Sequence, residues 1–214
     1  MFFNPDRPMD VHHRNLPHWQ QGSVVCFLTF RLADSIPGLA LRDWDNERRL
    51  WLLSRLPSAG GNLHDILAQL SERDRRAYLR RFGKRFHELL DAGHGSCLLG
   101  KLRHSEIVQN AMLHFDGTRY QLGDYVVMPN HVHVLVSPLA DQSFGQICGS
   151  WKRFTAREIN KLDGREGSLW QHETFDHLVR SQASLEHFRR YIRENPIKAK
   201  LREGEFRLGC GTFK

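Results

Sequence analysis

Within MPNHVHVLV, residues 128–136, two histidines stand one residue apart just after a Pro-Asn turn. In an extended strand alternate side chains share a face, so His131, His133 and Leu135 point one way and Val132, Val134 and Val136 the other. The two-residue repeat sets the imidazoles roughly 6–7 Å apart, near enough for both to bind one cation. A second row lies in SLEHFRRYIREN, residues 184–195. At helical spacing His187, Tyr191 and Asn195 fall on one side, a turn apart, beside an apolar stripe of Leu185, Phe188 and Ile192. Two imidazoles and one carboxamide oxygen suit Mg²⁺ or Mn²⁺, with open positions left for a substrate oxygen. Asn195 is therefore the candidate third metal ligand beside His131 and His133. Tyr191 is the candidate nucleophile: a phenol with an ordinary pKa of about 10 attacks phosphorus when a cation neutralises the phosphate. Structural explanations exist for the same residues. A tyrosine can edge a core, an asparagine before Pro196 can end a helix, and chance pairs arise among 13 histidines.

The elements that must hold these residues follow from periodicity. SVVCFLTFRL (23–32) is β-branched and aromatic, a strand. Over 105–114, Ile107, Val108, Ala111 and Met112 recur at three- and four-residue intervals, an amphipathic helix ending before Asp116-Gly117. Segments 119–127 and 131–137 read as a hairpin closed by Met128-Pro129-Asn130. A helix capped by Ser143 runs through Phe144, Ile147, Trp151, Thr155 and Ile159. HETFDHLVR (172–180) predicts a last strand, and 184–195 a final helix stopped by Pro196. This order, β-α-β-β-α-β-α, predicts an α+β fold: a ferredoxin-like antiparallel sheet with both crossover helices on one face, plus a C-terminal tyrosine-bearing helix. The valine face packs under the crossover helices, and the histidine face is expected to stay open as a working surface. Residues 34–95 interrupt the order. Leu50, Leu53 and Leu56, then Leu79, Phe82, Phe86 and Leu89, predict an inserted pair of helices broken by PSAGG (57–61).

Composition narrows the function classes. At 214 residues and 40% hydrophobic, the chain supports one core and reads as a single domain over 1–214. It has no apolar run of about eighteen residues, and MFFNPDRPMDVHHRNLPHW lacks a signal-peptide pattern. The expected location is cytoplasmic, associated with the nucleoid, with no membrane partner. Cys26, Cys97, Cys148 and Cys210 are far apart, which argues for reduced thiols and against a disulfide scaffold or zinc finger. A formal charge of +7 points to a polyanionic partner. Lys152, Arg153, Arg157, Arg180, Arg190 and Lys198 are the candidates for holding a DNA backbone. Trp170 has two readings, a platform for a stacked base and a lid over the core.

Four segments in order, HFDGTRY (114–120), VVMPNHVHVLVSP (126–138), LWQHETFDHLVRS (169–181) and YIRENPIKAKL (191–201), resemble the REP-associated tyrosine transposases. These are relatives of the IS200-like insertion-sequence transposases in the HUH single-strand nuclease superfamily. The resemblance spans about residues 20–201 and implies a ferredoxin-like HUH endonuclease domain. It implies His131 and His133 as ligands of a divalent metal ion, Mg²⁺ or Mn²⁺, with Asn195 in the third-ligand position and Tyr191 as nucleophile. The implied partner is single-stranded or hairpin DNA carrying REP-like palindromes, bound by a monomer or homodimer. The implied reaction is metal-assisted transesterification, leaving a 5′-phosphotyrosine and a free 3′ hydroxyl. The 34–95 segment departs from the shortest members. Two other classes fit parts of the pattern. A non-catalytic RRM-like nucleic-acid-binding module would need stacking aromatics where the histidines stand. A metal-dependent phosphodiesterase using water would leave Tyr191 incidental.

Overall fold

The computed structural model describes residues 2–4, 10–13, 17–57, 60, 63–139 and 142–213. A short ribbon of β1 (Asp10–His13) and β2 (Pro17–Gln20) precedes β3 (Cys26–Arg31). The insertion follows as α1 (Gly38–Leu53), α2 (Leu63–Gln69) and α3 (Glu72–Asp91). After a 3₁₀ turn at Leu98–Gly100 come α4 (Leu102–Leu113), β4 (Tyr120–Val127), β5 (His131–Pro138), α5 (Phe144–Asp163), β6 (Phe175–Leu178), α6 (Gln182–Lys198) and β7 (Arg207–Gly209). The main sheet runs β6-β3-β5-β4-β7, antiparallel throughout. Without β7 this is the ferredoxin-like order expected from the sequence.

Both crossover helices lie on one face, and the strand alternation explains why. Cys26, Leu28 and Phe30 of β3 and Val132, Val134 and Val136 of β5 join Val108 and Met112 of α4 and Ile147, Trp151 and Ile159 of α5 in one core. The polar atoms inside it are paired: Trp151 Nε1 donates to Tyr120 Oη at 2.9 Å, which donates to the Met112 carbonyl at 2.7 Å. Ser143 starts α5 with a reciprocal capping box through Gln146. Trp170 is a lid: only 5% exposed, it packs edge-on to Phe30 and donates to Thr155 Oγ1 at 2.9 Å, so it cannot stack a base.

Three expectations change. The histidine face is not open: His131 and His133 are fully buried. Val25, Phe27, Val126 and Leu135 share that face, and such apolar area is covered, by Leu185, Phe188 and Ile192 of α6 and by the end of α3. Among the described residues the insertion has three helices rather than two, around a core of its own, Trp51, Leu52, Leu70, Tyr78 and Phe82. Ser58, Ala59 and Gly61 of the expected break lie outside the described residues. Its two ends meet at the sheet. Ser96 N donates to Asp34 Oδ2 at 2.8 Å, and Gly95, at φ +90°, sits where a Cβ would come within 2.5 Å of the Asp34 carbonyl oxygen. Third, α6 continues past Pro196 to Lys198, because a proline this near the end removes one donor and leaves the turns before it intact. The four cysteines are free thiols, as expected. Among the described residues no helix is long and apolar enough to cross a membrane.

Candidate active site

The register of β3 against β5 builds the first layer. It sets Thr29 opposite His133 and Arg31 opposite His131. Thr29 Oγ1 lies 2.7 Å from His133 Nδ1, and Asn130 Oδ1 lies 2.7 Å from His131 Nδ1. An amide oxygen only accepts, so His131 Nδ1 carries the proton and its Nε2 presents a lone pair. The rings lean together, which brings the two Nε2 atoms to 3.0 Å, much closer than the strand repeat alone. Asn130 does more than turn the hairpin. Its Nδ2 donates to the Leu90 and His94 carbonyls at 3.1 and 3.2 Å, which clamps the end of α3 against the histidine strand.

The second layer is α6. Ser181 caps it by accepting from Ser184 N, and Leu185 and Ile192 bury against the sheet. Arg189 and Arg193 reach back to Asp124, buried at the bulge in β4, at 3.7 and 3.5 Å. Phe188 stacks on Phe27 at 4.5 Å, and Tyr191 meets Phe27 edge-on. The phenol is thereby held over the histidines, with Tyr191 Oη 3.5 Å from His133 Nε2. Asn195 is buried one turn on. Neither of its amide atoms makes a well-formed hydrogen bond, although the amide lies close enough to Asp91 and Tyr191 to lower the pKa of both.

Two residues of the centre come from α3 and were not anticipated. Asp91 Oδ1 lies 3.9 Å from His131 Nε2, and donor atoms of Asp91, His131 and His133 all fall within 4.8 Å of one another. The His87 ring is centred 5.5 Å from both His133 and Tyr191, with its Nδ1 buried and unpartnered. Their signal in the sequence is the four-residue spacing, which puts two polar groups on one helix face beside Phe86, Leu89 and Leu90.

Burial governs the electrostatics. It pushes His131 down to about 3 and His87 to about 4, with neighbouring imidazoles adding to the shift, and holds His133 well below the usual histidine range. All three are neutral at pH 7. Burial pushes Asp91 up to about 6, opposed by the Asn195 amide and by Lys198. Burial first and then the Asp91 charge raise the Tyr191 phenol, while Asn195 lowers it, so the phenol stays protonated until positive charge arrives beside it. The donor atoms fit a divalent cation. Two neutral imidazoles have their second nitrogens engaged by Asn130 and Thr29, and the Asp91 and Asn195 oxygens beside them lack hydrogen-bond partners.

The other candidates are dispersed. His187 is exposed and outside the centre, because each four-residue step drifts about 40° around a helix and two steps separate it from Asn195. Lys198 is next to the centre, paired with Glu194 at 2.9 Å and 5.8 Å from the middle of the Tyr191 ring. Arg153, Arg157, Arg180 and Arg190 are exposed. Arg157 pairs with Glu158, and Arg180 lies over Phe3. Lys152 Nζ is engaged internally, its three N–H groups facing four acceptors, the Gln171, His172 and Glu173 carbonyls and Thr174 Oγ1, at 2.9–3.3 Å. A cleft of about 390 Å³ borders the centre at Asp91 and His131 and is lined also by Met128, Pro129, Leu201 and Glu205; His133, Tyr191 and Asn195 are not part of its wall.

The span from α4 to the last turns of α6 holds both histidines, Tyr191 and Asn195. Residues 101–195 match the family Transposase IS200 like. The transposase-like segment thus contains every residue expected to do chemistry and excludes the insertion with His87 and Asp91. No curated protein matches the chain. A solved structure described as the REP-associated tyrosine transposase bound to a REP hairpin is similar to it, with 16% identity and a TM-score of 0.49, over 87% of this chain and 73% of that one.

Proposed function

We propose that the protein is a transposase-type single-stranded DNA endonuclease and strand transferase that cuts beside hairpins through a covalent 5′-phosphotyrosine on Tyr191. The observation that carries this is the approach of Tyr191 Oη to 3.5 Å from His133 Nε2, itself 3.0 Å from His131 Nε2. His131, His133 and Asn195 would hold Mg²⁺ or Mn²⁺. Such an ion, when bound, neutralises the scissile phosphate and eases loss of the phenol proton. The chain's own part is positioning. Asn130 and Thr29 fix the imidazoles with Nε2 turned inward, and Phe27 and Phe188 keep the phenol from swinging away. Tyr191 Oη then bonds to phosphorus, the bond to the 3′ oxygen breaks, and that oxygen leaves as a hydroxyl, its proton balancing the one the phenol released. The phosphotyrosyl ester keeps the energy of the broken bond, so the reverse attack joins strands without a nucleotide triphosphate. Histidines and tyrosine meet within one chain, so a monomer can cut.

The strand is held by charge. Arg153, Arg157, Arg180, Arg190 and Lys198 release counterions on contact with phosphates, while Lys152 is turned inward onto residues 171–174. Between Arg75 and Arg85 α3 carries six exposed basic residues and no acidic one, which extends that surface onto the insertion. The test is a denaturing gel with a hairpin oligonucleotide bearing a single-stranded flank. Wild-type protein should attach to the fragment that carries the 5′ phosphate. Tyr191→Phe should bind the DNA and give neither cut nor adduct. Cleavage by the wild type without any adduct would overturn the proposal in favour of water as nucleophile.

A further inference from the structure

Asp91 is the last residue of α3 and belongs to the insertion, outside the transposase-like segment. A carboxylate there faces the negative end of the helix dipole and is partly withdrawn from water, both of which disfavour an anion. Its Oδ1 is buried without a hydrogen bond and faces His131 Nε2 at 3.9 Å. The amide oxygen of Asn195 is buried and unpartnered as well. Unsatisfied polar atoms are rare in folded interiors, and those converging on one point indicate a missing common partner. His131, His133 and Asn195 bring no charge to that point, whereas Asp91 brings the anionic oxygen that Mg²⁺ and Mn²⁺ favour. The support is shared, too. Asn130 fixes His131 Nδ1 through its oxygen and the end of α3 through its nitrogen, so one side chain sets the distance between imidazole and carboxylate.

We propose that Asp91 is a ligand of the divalent cation held by His131 and His133, which makes the inserted helices part of the metal centre. This rests on the metal-assisted reading above, and the test separates the two. Mn²⁺ is titrated calorimetrically into the DNA-free, full-length protein at pH 7.5, using wild type, Asp91→Asn, Asp91→Ala and His131→Ala. Asp91→Asn keeps the shape and removes the charge. It should weaken Mn²⁺ binding about tenfold or more, with Asp91→Ala at least as weak and His131→Ala without measurable binding. Thermal melts in EDTA should show both Asp91 variants as stable as wild type, or more so, since an unfavourable buried charge is gone. Wild-type Mn²⁺ affinity in both Asp91 variants, with binding lost in His131→Ala, would overturn the role of Asp91 and leave the metal site standing. Absence of Mn²⁺ binding by the wild type, or unchanged binding by His131→Ala, would overturn the metal reading and this inference together.

Discussion

In metal-free buffer, acidification from pH 7 to pH 5 is expected to remove roughly 4 kcal/mol of stability through two buried imidazoles alone. His131, pushed down to about 3, and His87, to about 4, remain neutral in the folded protein at pH 5. In the unfolded chain both titrate at about 6.5. Their folded values are depressed, so below pH 6.5 the unfolded chain binds the extra protons and stability falls, levelling off only near the folded values. Each group contributes about 1.4 kcal/mol per pH unit, hence about 2 kcal/mol by pH 5, whatever its folded value below that. His133, lowered in the same direction, adds to the loss. Asp91 works the other way: its raised pKa, about 6, lets the folded protein take up a proton as pH falls. Its side chain is 31% exposed, so solvent screening keeps this offset below the histidine contribution. A domain of this kind has about 5–15 kcal/mol in total, so the effect is large. Urea titrations in EDTA at pH 7.5, 6.0 and 5.0 measure it, with His87→Leu losing about 2 kcal/mol less than wild type over the same range. Equal unfolding midpoints at pH 7.5 and 5.0 would refute the neutral, buried state of these histidines.

Other outcomes follow from the same geometry. His131→Ala and His133→Ala should abolish cleavage in Mg²⁺ while mobility-shift affinity stays within a few-fold, because grip is spread over many cations; a variant cutting at the wild-type rate would remove its histidine from the centre. DNA affinity should fall steeply with salt, with a log–log slope of about −0.7 per phosphate contacted, and should favour hairpin or single-stranded DNA. Equal affinity for blunt duplex would count against a single-strand enzyme. Lys152→Met should cost about 1–3 kcal/mol in a thermal or urea melt, by unpinning residues 171–174, and should weaken DNA binding less than Arg153→Ala does. The opposite ranking would show that Lys152 acts mainly on phosphate.

The parts of this centre that were legible in the sequence are those coded by local periodicity. Alternation in VHVLV separates the valine face from the histidine face, and four-residue spacing puts Tyr191 and Asn195 on one side of α6. Turn chemistry located Pro129-Asn130, but the two further bonds of Asn130 to Leu90 and His94 join segments about 40 residues apart, which no local pattern encodes. The same holds for α3. The spacing of His87 and Asp91 defines a helix face without saying where that face docks. The open histidine face failed because Phe27 and Leu135 share it, and their burial calls for a cover that α3 and α6 supply. Lys152 shows the limit for charge: its four acceptors come from a loop about 20 residues downstream, so composition alone reads it as a free cation.

The central claim is that Tyr191 Oη becomes the covalent link to DNA, and the most direct measurement is the site of that link. Wild-type protein is incubated with a hairpin oligonucleotide and Mn²⁺, the trapped product is digested with nuclease and protease, and the nucleotide-bearing peptide is sequenced by tandem mass spectrometry. The expected result is a nucleotide 5′-phosphate on Tyr191 and on no other residue. A nucleotide on Tyr120, Tyr125 or a serine, or cleaved DNA with no modified peptide, would contradict the account.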